Sequence, residues 1–322
     1  NLYHMEAQGL LARELAKNSF ADKFFFCNSG TEANEAAIKL ARCFAQNQGF
    51  KNRIEIITML KSFHGRSMGS LSATAQSKTH KGFKPLLPGF KHVPFNDPFA
   101  AKKAITKKTC AILVEPIQGE GGVNIPDKNY LKDLRKICDA RKILLIFDEV
   151  QTGFGRTGHL FAYERFGVKP DAITLAKALG GGVSIGAIGA TNQIIKSFTP
   201  GTHGATFGGN PLACSASLAS LKILLEKNFI ENAREMGDYF LSKLKKLQSQ
   251  FSMIQEIRGA GLMLAVELNQ SGAPIVIECM RQGVLINCVQ ENILRFLPPL
   301  IVTRREIDRV VRVLINSLEI LK

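Results

Sequence analysis

Lys177 stands in the segment TLAKALGGG (174–182), and 29 positions before it Asp148 follows the apolar run KILLIF at the head of FDEVQTGFGRTG (147–158). Each is a polar residue at the expected exit of a buried strand. Parallel strands covered on both faces read as near-continuous apolar runs and present functional groups at their carboxyl ends. A lysine in that position can form a Schiff base with an aldehyde, and a carboxylate nearby can hold a pyridinium nitrogen protonated. Taken singly, neither residue says much. A strand-end Asp commonly caps the next helix, and most lysines are solvated surface charges. Together they are the two groups that a pyridoxal 5'-phosphate (PLP) enzyme needs.

Three further segments carry polar or aromatic residues where elements should begin or end. Asn28-Ser29-Gly30-Thr31-Glu32 precedes a helical stretch, 32–46, with no Gly or Pro inside it. A helix start offers free N–H groups and a positive dipole, so it can hold a phosphate, although Ser and Thr there also fit a plain cap. Phe63-His64-Gly65-Arg66 follows the apolar run 54–59. There Phe63 reads either as core packing or as an aromatic stacking platform, and Arg66 either as a surface ion pair or as a planar fork for a carboxylate. No role is assigned to His64. Glu115-Pro116 ends another apolar run, and Glu120 follows within QGEGG.

The segments FCNSGTEANEA (26–36), FHGR (63–66), VEPIQGEGG (114–122), FDEVQTGFGRTG, TLAKALGGG, GATFGGNPLA (204–213) and LRFLPPL (294–300) occur in this order. In them the chain resembles the class III aminotransferases of fold type I, and within that family the group acting on acetylornithine. The resemblance covers essentially the whole chain and implies PLP as cofactor. It implies Lys177 as the Schiff-base residue and proton carrier, Asp148 on the pyridinium nitrogen and Gln151 on the ring hydroxyl oxygen. It further implies Phe63 stacked on the ring, Gly30 and Thr31 on the phosphate, and Thr206 reaching the phosphate of the other subunit of a homodimer with shared sites. Arg66 is implied for substrate carboxylate, and Glu120 with Arg295 for a charged pair that gates one half-reaction.

The reaction so implied moves the ω-amino group of N2-acetylornithine to 2-oxoglutarate, a cytoplasmic step of arginine biosynthesis. Ornithine, GABA and N-succinyl-diaminopimelate are the alternative donors. The family also carries several dozen residues before the position of Asn1, part of the small domain and of the site wall, and that segment is absent from this sequence.

Composition bounds the reading. With 45% hydrophobic and 21% charged residues, the 322-residue chain is of ordinary globular composition, long enough for two domains. Its apolar runs are too short to span a bilayer. The seven cysteines contain no CxxC pair and the six histidines no HExxH spacing, so a reducing compartment is expected and no metal. The net charge of +15 raises a nucleic-acid-binding alternative, but the lysines are scattered and no basic stripe interleaved with aromatics is present.

The elements that must hold these residues read as follows. Apolar runs at 54–59, 110–114, 143–147 and 172–175 alternate with helical patterns, which predicts an α/β fold with a mostly parallel sheet covered by helices. Residues 77–98 read as loop. Pro211 opens a long helix. From about residue 224 the expectation is a smaller α+β domain: helix 229–250, strand 254–268, helix 273–282, strands 284–287 and 293–297, and a last helix capped by Thr303 with Glu306. The predicted domains are 1–223, binding PLP, and 224–322.

Overall fold

The computed structural model describes residues 3–320. The chain divides into two compact units, the first made of Asn1–Pro116, Pro126–Phe154 and Phe161–Ile223, the second of Ile117–Ile125, Gly155–Leu160 and Leu224–Lys322.

The first unit is built on seven strands: β1 (Lys23–Cys27), β2 (Glu55–Met59), β3 (Phe90–Val93), β4 (Thr109–Val114), β5 (Leu144–Asp148), β6 (Ala172–Leu175) and β7 (Gly186–Ala190). Their order across the sheet is β1-β7-β6-β5-β4-β2-β3. From β3 to β6 all pairs are parallel, and β7 runs antiparallel to both β6 and β1. Every residue of β4, β5 and β6 is buried, as strands covered on both faces require. The helix Gly30–Asn47 lays Ala33, Ala37 and Ala41 toward the sheet with Ile38 and Leu40. Small side chains at this spacing let the helix lie close to the strands.

The runs at 54–59, 110–114, 143–147 and 172–175 therefore form β2, β4, β5 and β6. The segment 77–98 is not all loop: it contains the short helix Ser77–His80 and the strand β3. Strand β7, with the sequence GAIGA, is fully buried but carries two glycines, which weaken a strand pattern. Both are sterically required. A Cβ on Gly186 would lie 2.2 Å from the Ser29 carbonyl oxygen, and one on Gly189 would lie 2.3 Å from the Phe24 ring.

The second unit has an antiparallel sheet of β8 (Ile254–Ala260), β9 (Met263–Leu268), β10 (Asn287–Val289) and β11 (Ile293–Phe296), in the order β10-β11-β9-β8. The stretch 254–268, expected as one strand, is a hairpin that turns at Gly261, whose φ is +55°. The helix Phe229–Gln248 buries Ala233, Met236, Phe240, Leu244 and Leu247, the spacing of an amphipathic face. Phe240 meets Phe296 edge-on, with centroids 5.3 Å apart. The helix Arg304–Ile320 opens with the expected capping box. The Thr303 amide donates to Glu306 Oε2 at 2.7 Å, and the Glu306 amide to Thr303 Oγ1 at 3.4 Å.

A single cut between residues 223 and 224 misses two excursions of chain into this unit, 117–125 and 155–160. Arg258 holds the first through its Nη2, 2.8 Å from the Gly122 carbonyl, and its Nε, 3.2 Å from that of Val123. Arg156 anchors the second. It donates to the Leu262 and Pro298 carbonyls while the Leu262 amide donates to its own carbonyl. Burial pushes the Arg156 guanidinium down to about 10. None of these partners is near in sequence, so no local signal marks the excursions.

Candidate active site

Asp148 is the last residue of β5 and is 4% exposed. A carboxylate so deep in the unit needs donors, and three are present. Its Oδ2 accepts from Asn34 Nδ2 at 2.7 Å and from His64 Nδ1 at 2.8 Å, and its Oδ1 accepts from the Val150 amide at 3.0 Å. The Asn34 amide is itself oriented. Its oxygen accepts from Thr174 Oγ1 at 2.8 Å, and its nitrogen also donates to the His64 carbonyl at 2.7 Å. Since the Asp148 carboxylate accepts at His64 Nδ1, that nitrogen carries the proton. Among the described residues, His64 Nε2 is buried with no hydrogen-bond partner.

Neighbouring Glu149 turns the other way. Its carboxylate is fully buried and accepts from the amides of Ala162 and Tyr163 and from Thr152 Oγ1. Burial, opposed by these bonds, pushes it up to about 7.

Strand β6 lies beside β5 with Asp148 opposite Thr174, so Lys177 leaves the sheet one strand over from the carboxylate. Lys177 opens the 3-10 turn Lys177–Gly180 with φ +48°. A non-glycine residue is held in that left-handed region only when its surroundings demand it, and such residues cluster at functional sites. On the other flank Ser29 caps the helix Gly30–Asn47, its Oγ accepting from the Glu32 amide at 3.3 Å. The amides of Gly30 and Thr31 come before the helix's own ladder begins.

These groups meet in one cavity of about 540 Å³, lined among others by Gly30, Thr31, Phe63, Arg66, Asp148, Gln151 and Lys177. Arg66 places its guanidinium 5.7 Å from the centre of the Phe63 ring and makes no ion pair among the described residues. The cavity therefore offers a helix start for an anion, an aromatic ring, a buried carboxylate, a primary amine and a guanidinium. That donor set fits PLP with an acidic substrate beside it.

Thr206 is exposed and is not among the residues that line this cavity. Glu120 and Arg295 belong to the second unit, where they pair at 2.8 Å, the arginine 7% and the glutamate 33% exposed. Gln290 Nε2 steadies the glutamate by donating to its main-chain carbonyl at 2.8 Å.

Sequence reasoning missed three residues of the cavity. His64 and Asn34 hold Asp148, and Glu115, 3% exposed, accepts from the Phe63 amide at 3.1 Å. The usable signal for Asn34 was a lone amide on the alanine face of its helix, where a polar residue must have a buried partner. For Glu115 it was a carboxylate closing an apolar run, as Asp148 does.

Residues 1–318 match the family profile described as aminotransferase class-III. The chain is 52% identical over 319 residues to the acetylornithine aminotransferase of Methanocaldococcus jannaschii, covering 99% of this chain and 79% of that one. It is 51% identical to the enzyme of the same description from Caldanaerobacter subterraneus, over 98% of this chain and 80% of that one. Among solved structures it is similar to an ornithine aminotransferase from Toxoplasma gondii with partial occupancy of PLP at its active site, with a TM-score of 0.95 and 33% identity over 99% of this chain and 77% of that one. A match of this extent, on a chain that sets a lysine and a carboxylate at adjoining strand ends, places the protein among the class III aminotransferases.

Proposed function

We propose that the chain is an acetylornithine aminotransferase, moving the ω-amino group of N2-acetylornithine to 2-oxoglutarate and so yielding N-acetylglutamate 5-semialdehyde and glutamate. The observation that carries this reading is the single cavity lined by Lys177, Asp148, Gln151 and Arg66, in a chain about half identical to relatives of that activity over nearly its full length.

As a class III aminotransferase the protein depends on PLP, which when bound supplies an electron sink for the carbon next to the migrating nitrogen. Each residue has a stated task. The amides of Gly30 and Thr31 bind the phosphate without a basic side chain. Phe63 presents a ring face to the flat cofactor. Asp148, already fixed by three donors, keeps a proton on the ring nitrogen, and Gln151 bonds the ring hydroxyl oxygen. Lys177 Nζ would hold the cofactor covalently and, with a substrate amine in its place, would carry a proton to and from the substrate carbon. Arg66 grips a substrate carboxylate with two parallel N–H groups. Glu120 holds Arg295, the second guanidinium assigned to substrate, until one half-reaction needs it.

The same reading takes the working enzyme as a cytoplasmic homodimer in which Thr206 reaches the neighbour's phosphate. The support is local. Thr206 is followed by Phe207, 72% exposed, and then by Leu212, 74% exposed, two large apolar side chains in one stretch of chain that a second copy would cover. All seven cysteines are free thiols, as in a reducing compartment. Among the described residues no helix is long and apolar enough to cross a membrane.

The test is a donor panel. PLP-loaded protein is assayed with 2-oxoglutarate and, in turn, N2-acetylornithine, ornithine, GABA and N-succinyl-diaminopimelate, following glutamate. Acetylornithine is expected to give the highest kcat/KM. A higher value for unacylated ornithine overturns the specificity, and no glutamate from any donor overturns the reaction.

A further inference from the structure

Thr31 lies in the phosphate-binding turn, but its hydroxyl is fully engaged elsewhere. Ser67 Oγ donates to Glu35 Oε1 at 2.7 Å. That carboxylate oxygen also takes the amides of Gly69 and Ser70, at 2.8 and 3.0 Å. Ser67 has one hydroxyl proton and gives it to Glu35, so in the 2.6 Å contact between the two hydroxyls Thr31 is the donor. The two lone pairs of Thr31 Oγ1 accept the amides of Arg66 and Ser67, each at 3.2 Å. One proton given and two accepted is the whole capacity of a hydroxyl. A return bond runs from Ser70 Oγ to the Thr31 carbonyl at 2.9 Å. The approach is close enough that a Cβ on Gly65, whose φ is +133°, would lie 2.3 Å from Thr31 Oγ1.

We propose that Thr31 is a positioning residue for Arg66. Its side chain fastens the arginine loop to the phosphate-binding end of the helix Gly30–Asn47, and only its main-chain amide serves the phosphate. Substrate carboxylate and cofactor phosphate are thereby gripped from one rigid piece, with Ser67 and Glu35 as the far anchor. This rests on the assignment of Arg66 to substrate carboxylate made above. A guanidinium on a loose loop loses the two-point grip before it loses its charge.

The test compares Thr31→Val, Thr31→Ser, Ser67→Ala and Arg66→Ala. The dissociation constant of PLP is measured on the apo protein by fluorescence, and KM and kcat for 2-oxoglutarate on the loaded protein. Thr31→Val and Ser67→Ala are expected to raise KM by about tenfold, a larger change than either makes in kcat or in PLP affinity, because positioning of a carboxylate fork is lost. Thr31→Ser, which keeps the hydroxyl, should bring KM back. Ser67→Ala changes no residue of the phosphate turn and removes only the partner of the Thr31 hydroxyl, so the same signature there supports the fastening role directly. If Thr31→Val instead weakens PLP binding about tenfold or more with KM unmoved, the hydroxyl is a phosphate ligand and the proposal fails. If Arg66→Ala raises KM while Thr31→Val and Ser67→Ala do not, the proposal fails alone. If Arg66→Ala leaves KM unchanged, the assignment of Arg66 fails and takes this proposal with it.

Discussion

At Asp148 the hydrogen bonds decide what a substitution can do. Its Oδ2 takes two donors and its Oδ1 a third, so an amide cannot replace the carboxylate neutrally. Whichever way Asn is turned, its NH2 group faces at least one N–H. Asp148→Asn should therefore destabilise even the apo protein by about 1–3 kcal/mol, the cost of leaving buried donors unmet. Urea unfolding of cofactor-free protein reads this without reference to catalysis, and an unchanged midpoint would contradict the network. Lys177→Ala should act in the opposite manner. The side chain is exposed, so stability should change little, while turnover should fall by several orders of magnitude because the anchor and the proton carrier are lost together. Single-turnover kinetics with retained PLP absorbance would check it. Lys177 and Asp148 were legible as a pair because each stands at or just after the end of a strand, whereas Gln151 and Phe63, which line the same cavity, were marked only by the family resemblance. His64 was not, and Asn34 showed only that it must have some buried partner, since their bonds to Asp148 span 84 and 114 residues and no local pattern records which residue is paired.

Among the elements, glycines separate steric need from mere tolerance. Gly186 in β7 faces the backbone of the phosphate turn, where an added Cβ would meet the Ser29 oxygen. Neither backbone can swing aside as a side chain does, so Gly186→Ala should cost about 1–3 kcal/mol as an overpacked site and weaken PLP binding in titration of the apo protein. Gly9, inside the helix Glu6–Lys17, has nothing within 4 Å of the same added atom. Gly9→Ala should stabilise by roughly 0.5–1 kcal/mol, and a pair of thermal melts distinguishes the two. A different pH-linked effect belongs to the β2–β3 pairing, where Thr58 stands opposite His92. His92 Nδ1 is 2.7 Å from Thr58 Oγ1, which gives its own proton to the Ala73 carbonyl, so the imidazole is the donor. Burial, then the neighbouring His80 and His64, push His92 from 6.5 down to about 4. The unfolded chain thus binds a proton there that the folded one refuses. The stability this site contributes is whole above pH 6.5 and is lost as pH falls toward 4. The margin of the wild type over His92→Gln in urea should shrink from pH 7.5 to pH 5, and a margin independent of pH would refute the assignment. The strands β2, β4, β5 and β6 were readable because burial on both faces writes a plain apolar run. The glycine-rich β7 was not, because the demand that shaped it comes from Ser29 and Phe24.

For the whole molecule, class and architecture were readable because apolar runs alternating with helices admit few arrangements, and the seven motifs in order narrow them further. The membership of 117–125 and 155–160 in the second unit was not, since it depends on Arg258 and Arg156 binding main-chain carbonyls far away in sequence. Assembly is the remaining property at this scale. The net charge of +15 opposes close approach of two copies at low salt, so apolar burial must outweigh it. Phe207 and Leu212, both largely exposed and within six residues of Thr206 in sequence, are the groups that would supply that burial. Sedimentation at about 0.15 M salt, where charges more than roughly 8 Å apart are screened, is expected to show a dimer carrying PLP. Leu212→Asp should give monomers that bind PLP more weakly, with affinity no longer rising with protein concentration. Thr206→Val should leave the dimer intact yet lower PLP affinity by about ten- to a hundredfold, the worth of one hydrogen bond to a charged phosphate. Because one variant breaks assembly and the other only the proposed contact, the two separate a shared site from a merely adjacent one. A Leu212→Asp monomer that binds PLP as tightly as the parent would show each site to be complete within one chain.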